Sequence, residues 1–412
     1  MRLLYNFLIQ CYSHVVFIAG FFNEKALLWH KGRRNIFELL ETQSKKSNHW
    51  VWFHAASLGE FEQGRPVIEA LKKQNPEIAI LLTFYSPSGY EIRKNYELAD
   101  CVAYLPSDTI QNAKKLTALF QFKAVFFIKY EFWFNYMNQI HIKQIPLYFI
   151  SARFRENQYF FSWYGYWFRK QLKNVSHFFV QDSGSELLLK SIGIQAITIT
   201  GDTRFDRVAS LAKTAKKFEN IERFIGTNTV FIAGSTWPED EKLLVEAIKT
   251  LPKNYKIFIA PHDVSNSHIE NIQKLIGKDH QLYSTFNPEN NSNILIINSI
   301  GILSQLYQYA NFVYIGGGFG SNIHNIQEPV TFGCPVVFGP NYRNFTEAID
   351  LIRLGGAFAV SDQISLNEIL QQLANDKLFR SKTSAICKKY VGQQIGATDK
   401  ILTKLNAFNK HN

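Results

Sequence analysis

From residue 50 onward, short apolar runs alternate with longer stretches of helical period. The runs predict strands at 50–55, 78–84, 101–104, 124–128, 147–150, 177–180 and 197–200. A second series follows at 230–233, 257–260, 294–297, 312–315, 336–338 and 357–360. Helical patterns separate most of these strands, which predicts parallel βαβ winding. Residues 209–228 are polar and lysine-rich with no strong apolar face, and read as the connection between two domains. Residues 380–408 read as helical. The expected fold class is α/β, with two Rossmann-like domains facing one another across a cleft. Their expected bounds are 47–208 and 229–412, preceded by a membrane-anchoring segment and basic linker at 1–46.

Within that leading segment, residues 3–22 are mostly apolar but interrupted by Asn6, Gln10, Ser13 and His14. Those four share one helical face with Arg2. The pattern suits a helix lying in a membrane interface, or a spanning helix with one face packed on something. An ordinary amphipathic core helix is the competing reading. Lys25, Lys31, Arg33 and Arg34 follow at once, and the positive-inside tendency places the main body on the cytoplasmic side. A cleaved signal peptide would want a stronger basic start and a small-residue cleavage site.

The chain has 412 residues, too many for one ordinary core. Its 46% hydrophobic and 19% charged residues exclude a disordered chain. The net charge of +11 calls for an anionic partner. No nucleic-acid module or arginine-rich tract is present, so a membrane surface or phosphorylated substrate is expected and nucleic acid is not. Cys11, Cys101, Cys334 and Cys387 lie far apart, against a zinc site or disulfide framework.

The densest chemistry lies at predicted strand ends. Trp50-Val-Trp-Phe-His-Ala-Ala-Ser-Leu-Gly-Glu60 reads as a buried strand, a tight turn through Ser57 and Gly59, and a helix running to about Lys73. Pro66 suits a first turn, which would start the regular helix nearer Arg65. α/β proteins place ligands outside the carboxyl ends of such strands. Glu60 is there either a general base or a carboxylate complementing the helix dipole. Phe127-Ile-Lys-Tyr-Glu-Phe-Trp133 brings Lys129 and Glu131 to another strand end among aromatics that disfavour full exposure.

In the second domain, Ala233-Gly-Ser-Thr-Trp-Pro-Glu-Asp240 offers Ser235 and Thr236 at a helix start, as an anion site or an ordinary N-cap. Ile259-Ala-Pro-His262 and Ser299-Ile-Gly-Ile-Leu303 lie at further strand ends. Gly316-Gly-Gly-Phe-Gly-Ser-Asn-Ile-His-Asn-Ile-Gln-Glu-Pro329 combines glycines that allow close backbone approach with His324, Asn325 and Glu328. It is not the dinucleotide fingerprint. It resembles the sugar-nucleotide end of a GT-B glycosyltransferase, where a glutamate holds the ribose hydroxyls.

Taken together, these segments resemble the 3-deoxy-D-manno-octulosonic acid (Kdo) transferases of lipid A assembly. The match runs through HAASxGE (His54–Glu60), KxExW (Lys129–Trp133), a form of GNxKFD (Gly201–Asp206) and GST (Gly234–Thr236). It continues through forms of PRH (Pro261–Asp263), TxGEL (Ser299–Leu303) and GGHNxLEP (Asn322–Pro329). The resemblance implies a GT-B enzyme that transfers Kdo, with inversion, from CMP-Kdo to a lipid A precursor at the cytoplasmic face of the inner membrane. It implies Glu60 as general base, with Glu131 and Arg204 stabilising the transition state. Ser57, Gly59 and Lys129 belong to the acceptor side. Ser235, Thr236, Pro261, His262, Gly301, Ile302, Leu303, His324, Asn325, Ile326, Gln327 and Glu328 match CMP-contacting segments. CMP-Kdo is a substrate, and neither cofactor nor metal is expected. The departures are His262 for the arginine of PRH, Asp263 for its histidine, Ile302 for the glutamate of TxGEL, and Arg204 for a lysine. Another GT-B enzyme using a UDP-sugar, and a non-catalytic two-domain binding protein, are the competing functions.

Overall fold

The structure is a computed structural model and describes residues 1–409. It divides into two compact units: one of residues 1–206 and 396–409, the other of residues 207–395. The first is built on a seven-stranded parallel sheet of β1 (Trp50–Ala55), β2 (Ala79–Phe84), β3 (Cys101–Tyr104), β4 (Phe122–Ile128), β5 (Leu147–Ala152), β6 (His177–Val180) and β7 (Ile197–Ile199), in the order β3-β2-β1-β4-β5-β6-β7. Period-two alternation sends Trp50 and Trp52 of β1 into one core layer with Phe122, Phe127 and Phe149. Val51 and Phe53 enter the other with Phe61, Phe126 and Ile150. Both faces of this sheet are covered, so its central strands are largely apolar, with His54, Thr83 and Ser151 as buried polar exceptions.

The second unit repeats the plan with β8 (Thr229–Thr236), β9 (Tyr255–Pro261), β10 (His280–Leu282), β11 (Ile294–Ile296), β12 (Phe312–Ile315), β13 (Val336–Phe338) and β14 (Ala357–Ala359), in the order β10-β11-β9-β8-β12-β13-β14. The pattern missed only β10, a half-buried edge strand of His-Gln-Leu with no apolar run to mark it.

Three expectations on organisation are corrected. Residues 396–409 do not belong with the second unit. Gly396 breaks the C-terminal helical stretch at φ +100°, and the helix Ala397–Asn409 returns to the first unit. There the Asp206 carboxylate accepts the Gly396 and Thr398 N–H groups at 2.6 and 2.7 Å, while Ile401, Leu402 and Leu405 enter the core beside Val67. The stretch 209–228 is not a bare connection either. It contains the end of helix Arg204–Lys213 and all of helix Glu219–Ile225, whose Ile221, Phe224 and Ile225 are buried. Finally, the helix after β1 starts at Leu58, not near Arg65. Ser57 caps it in an extended conformation, and Pro66 sits buried inside it, held by packing that outweighs the lost hydrogen bond.

The first helix, Arg2–Ala19, buries no residue completely. Part of its polar stripe faces protein: Asn135 donates to Asn6 at 2.8 Å and Ser13 donates to Ser107 at 3.3 Å, beside the Tyr5 hydroxyl that donates to Asp108 at 2.5 Å, while Arg2, Gln10 and His14 are exposed. Its apolar stripe faces outward, with Phe7 61% and Val15 62% exposed, and Phe22 just beyond it 90% exposed. No described helix is long and apolar enough to cross a membrane.

Candidate active site

In the first sheet β1 lies between β2 and β4. Successive crossovers leave β1 in opposite directions there, and a crevice opens at the carboxyl ends of the strands. Glu60 follows β1 and Glu131 follows β4, so both carboxylates stand at this switch point. Gly64 lets them converge. A Cβ at that position would lie 2.2 Å from Ile128 Cδ1, so with this Ile128 rotamer glycine lets the helix Leu58–Gln74 settle closely on β4.

Glu60 reaches back along its own helix start, and its Oε2 accepts the Ala56 N–H at 2.6 Å. This is the serine-to-glutamate spacing of a capping box, which holds the carboxylate in one orientation. Burial, and then the negative charge of Glu131, push the Glu60 carboxyl up to about 8, against the opposing pull of the Ala56 N–H and of Lys129. The helix-dipole and functional readings of Glu60 therefore coexist: the first turn and the Ala56 N–H orient a carboxyl that its surroundings bring into the range of a general base.

Glu131 is almost fully buried. Its Oε2 accepts the Trp133 indole N–H at 2.7 Å and lies 3.1 Å from His54 Nε2. The other nitrogen of the buried His54 ring lies 2.9 Å from Thr83 Oγ1, which itself accepts the Trp52 indole N–H at 2.7 Å. A fixed polar chain thus runs from β1 and β2 to Glu131. Lys129 sits in the left-handed region at φ +65°, sparsely populated for residues with a side chain and a common site of functional strain. Its ammonium lies 5.0 Å over the Tyr130 ring.

Arg204 forms a fork with Asp202, Nη2 to Oδ2 at 2.6 Å and Nε to Oδ2 at 2.9 Å. Burial alone would raise the Asp202 carboxyl, but the Arg204 charge and hydrogen bonds hold it below the usual carboxylate range. Gln63 donates to the same oxygen at 3.4 Å. The tie from Arg204 toward Glu60 runs through Asp202 and Gln63, one helical turn beyond Glu60. Of the acceptor-side residues, Ser57 is the N-cap and Gly59 is exposed. Sequence reasoning did not single out His54, Thr83, Trp133 or Asp202. His54, Trp133 and Asp202 lie inside the quoted motifs, whereas Thr83 is marked only as the one polar residue of β2.

In the second unit the expected donor residues gather at the carboxyl ends of β8, β9, β11 and β12, around that sheet's own switch point at β8. Gly316 packs the loop after β12 onto the Gly234-Ser-Thr236 turn; a Cβ there would meet Ser235 O at 2.3 Å. Asp240 closes the next helix start, accepting the Trp237 and Gly317 N–H groups at 2.9 and 2.8 Å and the Tyr314 hydroxyl at 2.7 Å. The buried Thr236 hydroxyl donates to Glu241 at 2.9 Å. Neither Ser235 nor Thr236 is the N-cap expected from the sequence: Trp237 holds that position and the Asp240 carboxylate closes the helix start, while Ser235, at φ +54°, is the half-exposed hydroxyl of the turn.

Beyond the turn, Trp237, His262 and His324 form a stack. Trp237 and His262 rings lie 4.8 Å apart, His262 and His324 4.3 Å apart, and the Trp237 indole donates to His324 Nε2 at 2.8 Å. Burial and the neighbouring His262 pull His324 down to about 4. Glu328 is half-buried, and burial raises its carboxyl against the pull of Arg207 and an Asn325 hydrogen bond. Gly301, at φ +95°, and half-buried Ile302 and Leu303 stand beyond β11, while Asn325 is exposed. Ile326, Gln327 and Pro261 are placed differently from ligand-facing side chains: all three are buried, and Gln327 donates to Glu347 at 3.1 Å. They can meet a ligand only through backbone or by shaping the loop. Among the described residues no group of three or more His, Cys, Asp or Glu side chains converges as a metal site.

Residues 31–207 match the family described as 3-deoxy-D-manno-octulosonic-acid transferase (kdotransferase). The chain is 25% identical over 335 residues to the 3-deoxy-D-manno-octulosonic acid transferase of Aquifex aeolicus, covering 79% of this chain and 86% of that one. It is 25% identical over 373 residues to the enzyme of the same name from Rickettsia prowazekii, covering 86% and 79%. A Fusobacterium nucleatum bifunctional glycosyltransferase/methyltransferase is 23% identical over 81% of this chain, which spans about half of that longer protein, 54%. Among solved structures, the UDP-GlcNAc 2-epimerase of Neisseria meningitidis bound to UDP-GlcNAc aligns with a TM-score of 0.61 at 19% identity, over 86% of this chain and 98% of that one. MurG of Acinetobacter baumannii aligns at 0.56 with 12% identity, over 88% and 100%. These two are alike in fold, the α/β GT-B class. The first unit matches the Kdo transferase family model, and relatives of that name align with the chain through both sheets.

Proposed function

We propose that this protein is an inverting glycosyltransferase that moves Kdo from CMP-Kdo to a hydroxyl of a lipid A precursor, lipid IVA, releasing CMP. The observation that carries this reading is the pair of buried carboxylates at the switch point of the first sheet, within the family's domain. Glu60 takes the proton of the acceptor hydroxyl as its oxygen bonds to the anomeric carbon. The bond from that carbon to the CMP phosphate breaks, and the electron pair leaves with CMP. Glu131, fixed by Trp133 and His54, supplies negative charge near a centre that becomes cation-like. Arg204 is oriented by Asp202 and adds positive charge on the same unit. The second unit takes the nucleotide, with Glu328 on the ribose hydroxyls and the Ser235 and His262 edge near the phosphate.

The acceptor's acyl chains stay in a bilayer, so the protein works at the cytoplasmic face of the inner membrane. The outward apolar stripe of helix Arg2–Ala19 and the basic residues Lys25, Lys31 and Arg34 support that placement. The test is incubation with CMP-Kdo and lipid IVA in detergent, with products resolved by mass. A gain of Kdo together with free CMP is expected. Transfer from a UDP-sugar and none from CMP-Kdo overturns the reading.

A further inference from the structure

We propose that a cavity between helix Arg2–Ala19 and helix Glu24–Lys31 binds the phosphate of an anionic membrane glycerophospholipid, with the acyl chains lying along the outward stripe of the first helix. The inference rests on the membrane placement just proposed and adds a defined headgroup site to it. The cavity measures about 610 Å³, far more than a bare phosphate needs. Arg33, Arg34, His14 and His30 line it together with the hydroxyl-bearing Ser13 and Ser107, and no carboxylate does.

Arg33 forms a rigid floor. Its guanidinium lies 3.9 Å over the Trp29 ring, 4.9 Å from Tyr85 and 5.0 Å from Tyr104. It donates to the carbonyls of Leu105 and Tyr85, both at 2.8 Å, and of Trp29 at 3.1 Å. Three of its five N–H groups are thereby used, leaving two for an incoming oxygen. Burial pulls its pKa down to about 10, the mark of a cation without a counter-anion. His14 Nδ1 donates to Gln10 O at 2.8 Å in the tautomer that suits this contact, so its Nε2 donates to a phosphate in the imidazolium form. Guanidinium and imidazole donors with two hydroxyls are the usual company of a phosphate, and a preformed guanidinium loses little freedom on binding it.

The rim is apolar. Phe17 lines the cavity and is half-exposed, and Ile18, Phe21 and Phe22 continue the exposed surface from it. A ligand with a phosphate at one end and hydrocarbon at the other matches both parts. The floor also backs onto the candidate active site: Tyr85 packs on Trp133 at 4.5 Å, and Trp133 holds Glu131. A lipid seated here would set the bilayer surface beside the acceptor wall.

The test compares full-length protein with Arg34→Ala/His30→Ala and with Lys45→Ala/Lys46→Ala, a control removing at least as much charge elsewhere on the first unit. Binding is measured to phosphatidylcholine vesicles with and without phosphatidic acid, and to soluble dihexanoyl phosphatidic acid by calorimetry. The Arg34/His30 variant should lose at least roughly fivefold in preference for phosphatidic acid, the worth of the Arg34 cation at an anionic lipid, with the lost imidazole adding to it. The lysine variant should lose much less, and the soluble lipid should bind saturably to all but the Arg34/His30 protein. Should that variant fold poorly, His14→Ala, at an exposed position, should show the same trend more weakly. Equal losses in both double variants, with no binding of the soluble lipid, overturn the site and leave the membrane placement standing. Binding of the soluble lipid that depends on Arg34 and His30, without vesicle binding by the full-length protein, supports the site and overturns the membrane placement.

Discussion

A carboxylate can serve as a base near neutral pH only if its surroundings raise its affinity for protons without removing it from reach. Glu60 meets both conditions, through burial, the charge of Glu131 and the Ala56 N–H that fixes its orientation. Glu60→Gln should keep the fold and CMP binding and lower the transfer rate by about 10²–10⁴; near-normal single-turnover transfer would remove Glu60 from the role. Because the base form is the ionised one, the rate should rise with pH through about 8. Glu131→Gln removes the negative neighbour, so in the activity remaining the acidic limb should shift to lower pH; an unmoved limb would assign it to another group. The stability sign is opposite. A carboxyl raised on folding binds its proton more tightly in the native state, so its contribution is lost as pH rises from the ordinary carboxylate range through about 8. Glu60→Gln should therefore gain in thermal stability over the parent as pH climbs across that window. In the second unit, Glu328→Ala should weaken CMP affinity measured by calorimetry while leaving acceptor binding unchanged, since a carboxylate pairing with ribose hydroxyls is lost.

At the scale of elements, the active-site geometry depends on how closely helix Leu58–Gln74 lies on β4. The contact at Gly64 against Ile128 sets that distance. Gly64→Val should destabilise the first unit by about 1–3 kcal/mol through overpacking, seen as a lower denaturant midpoint. Activity should fall further than stability alone explains, because Glu60 and Glu131 are driven apart. A variant as stable and active as the parent would show that the helix can shift without cost. Thr83 illustrates why part of the site was illegible in sequence. One threonine in an apolar strand carries no motif, and only parallel pairing of β1 with β2, His54 opposite Thr83, places its hydroxyl against the imidazole.

At the scale of the whole molecule, the chain builds two parallel sheets and then returns, so that its last described helix completes the first core. The first helix, in contrast, gives the core nothing fully buried and keeps its apolar side outward. Deleting residues 1–22 should leave CMP binding intact, lower affinity for anionic vesicles and reduce transfer to lipid-embedded acceptor. Equal vesicle binding by the truncated and full-length proteins would reduce the segment to a structural helix.

The sequence by itself determined the two-sheet α/β plan, because fully covered parallel strands must be short apolar runs and those runs are unmistakable at residues 50–55 or 312–315. It also marked Glu60 and Glu131, which follow strand ends where ligands bind, and Arg204 through the resemblance of its segment to a family motif. What tertiary structure alone decided are relations between distant positions. They include the return of 396–409 to Asp206, the burial of Ile326 and Gln327 beneath a loop read as ligand-facing, and the chain from Thr83 through His54 to Glu131. Each depends on which strands become neighbours and on how closely helices settle on them, and no local pattern of residues encodes that.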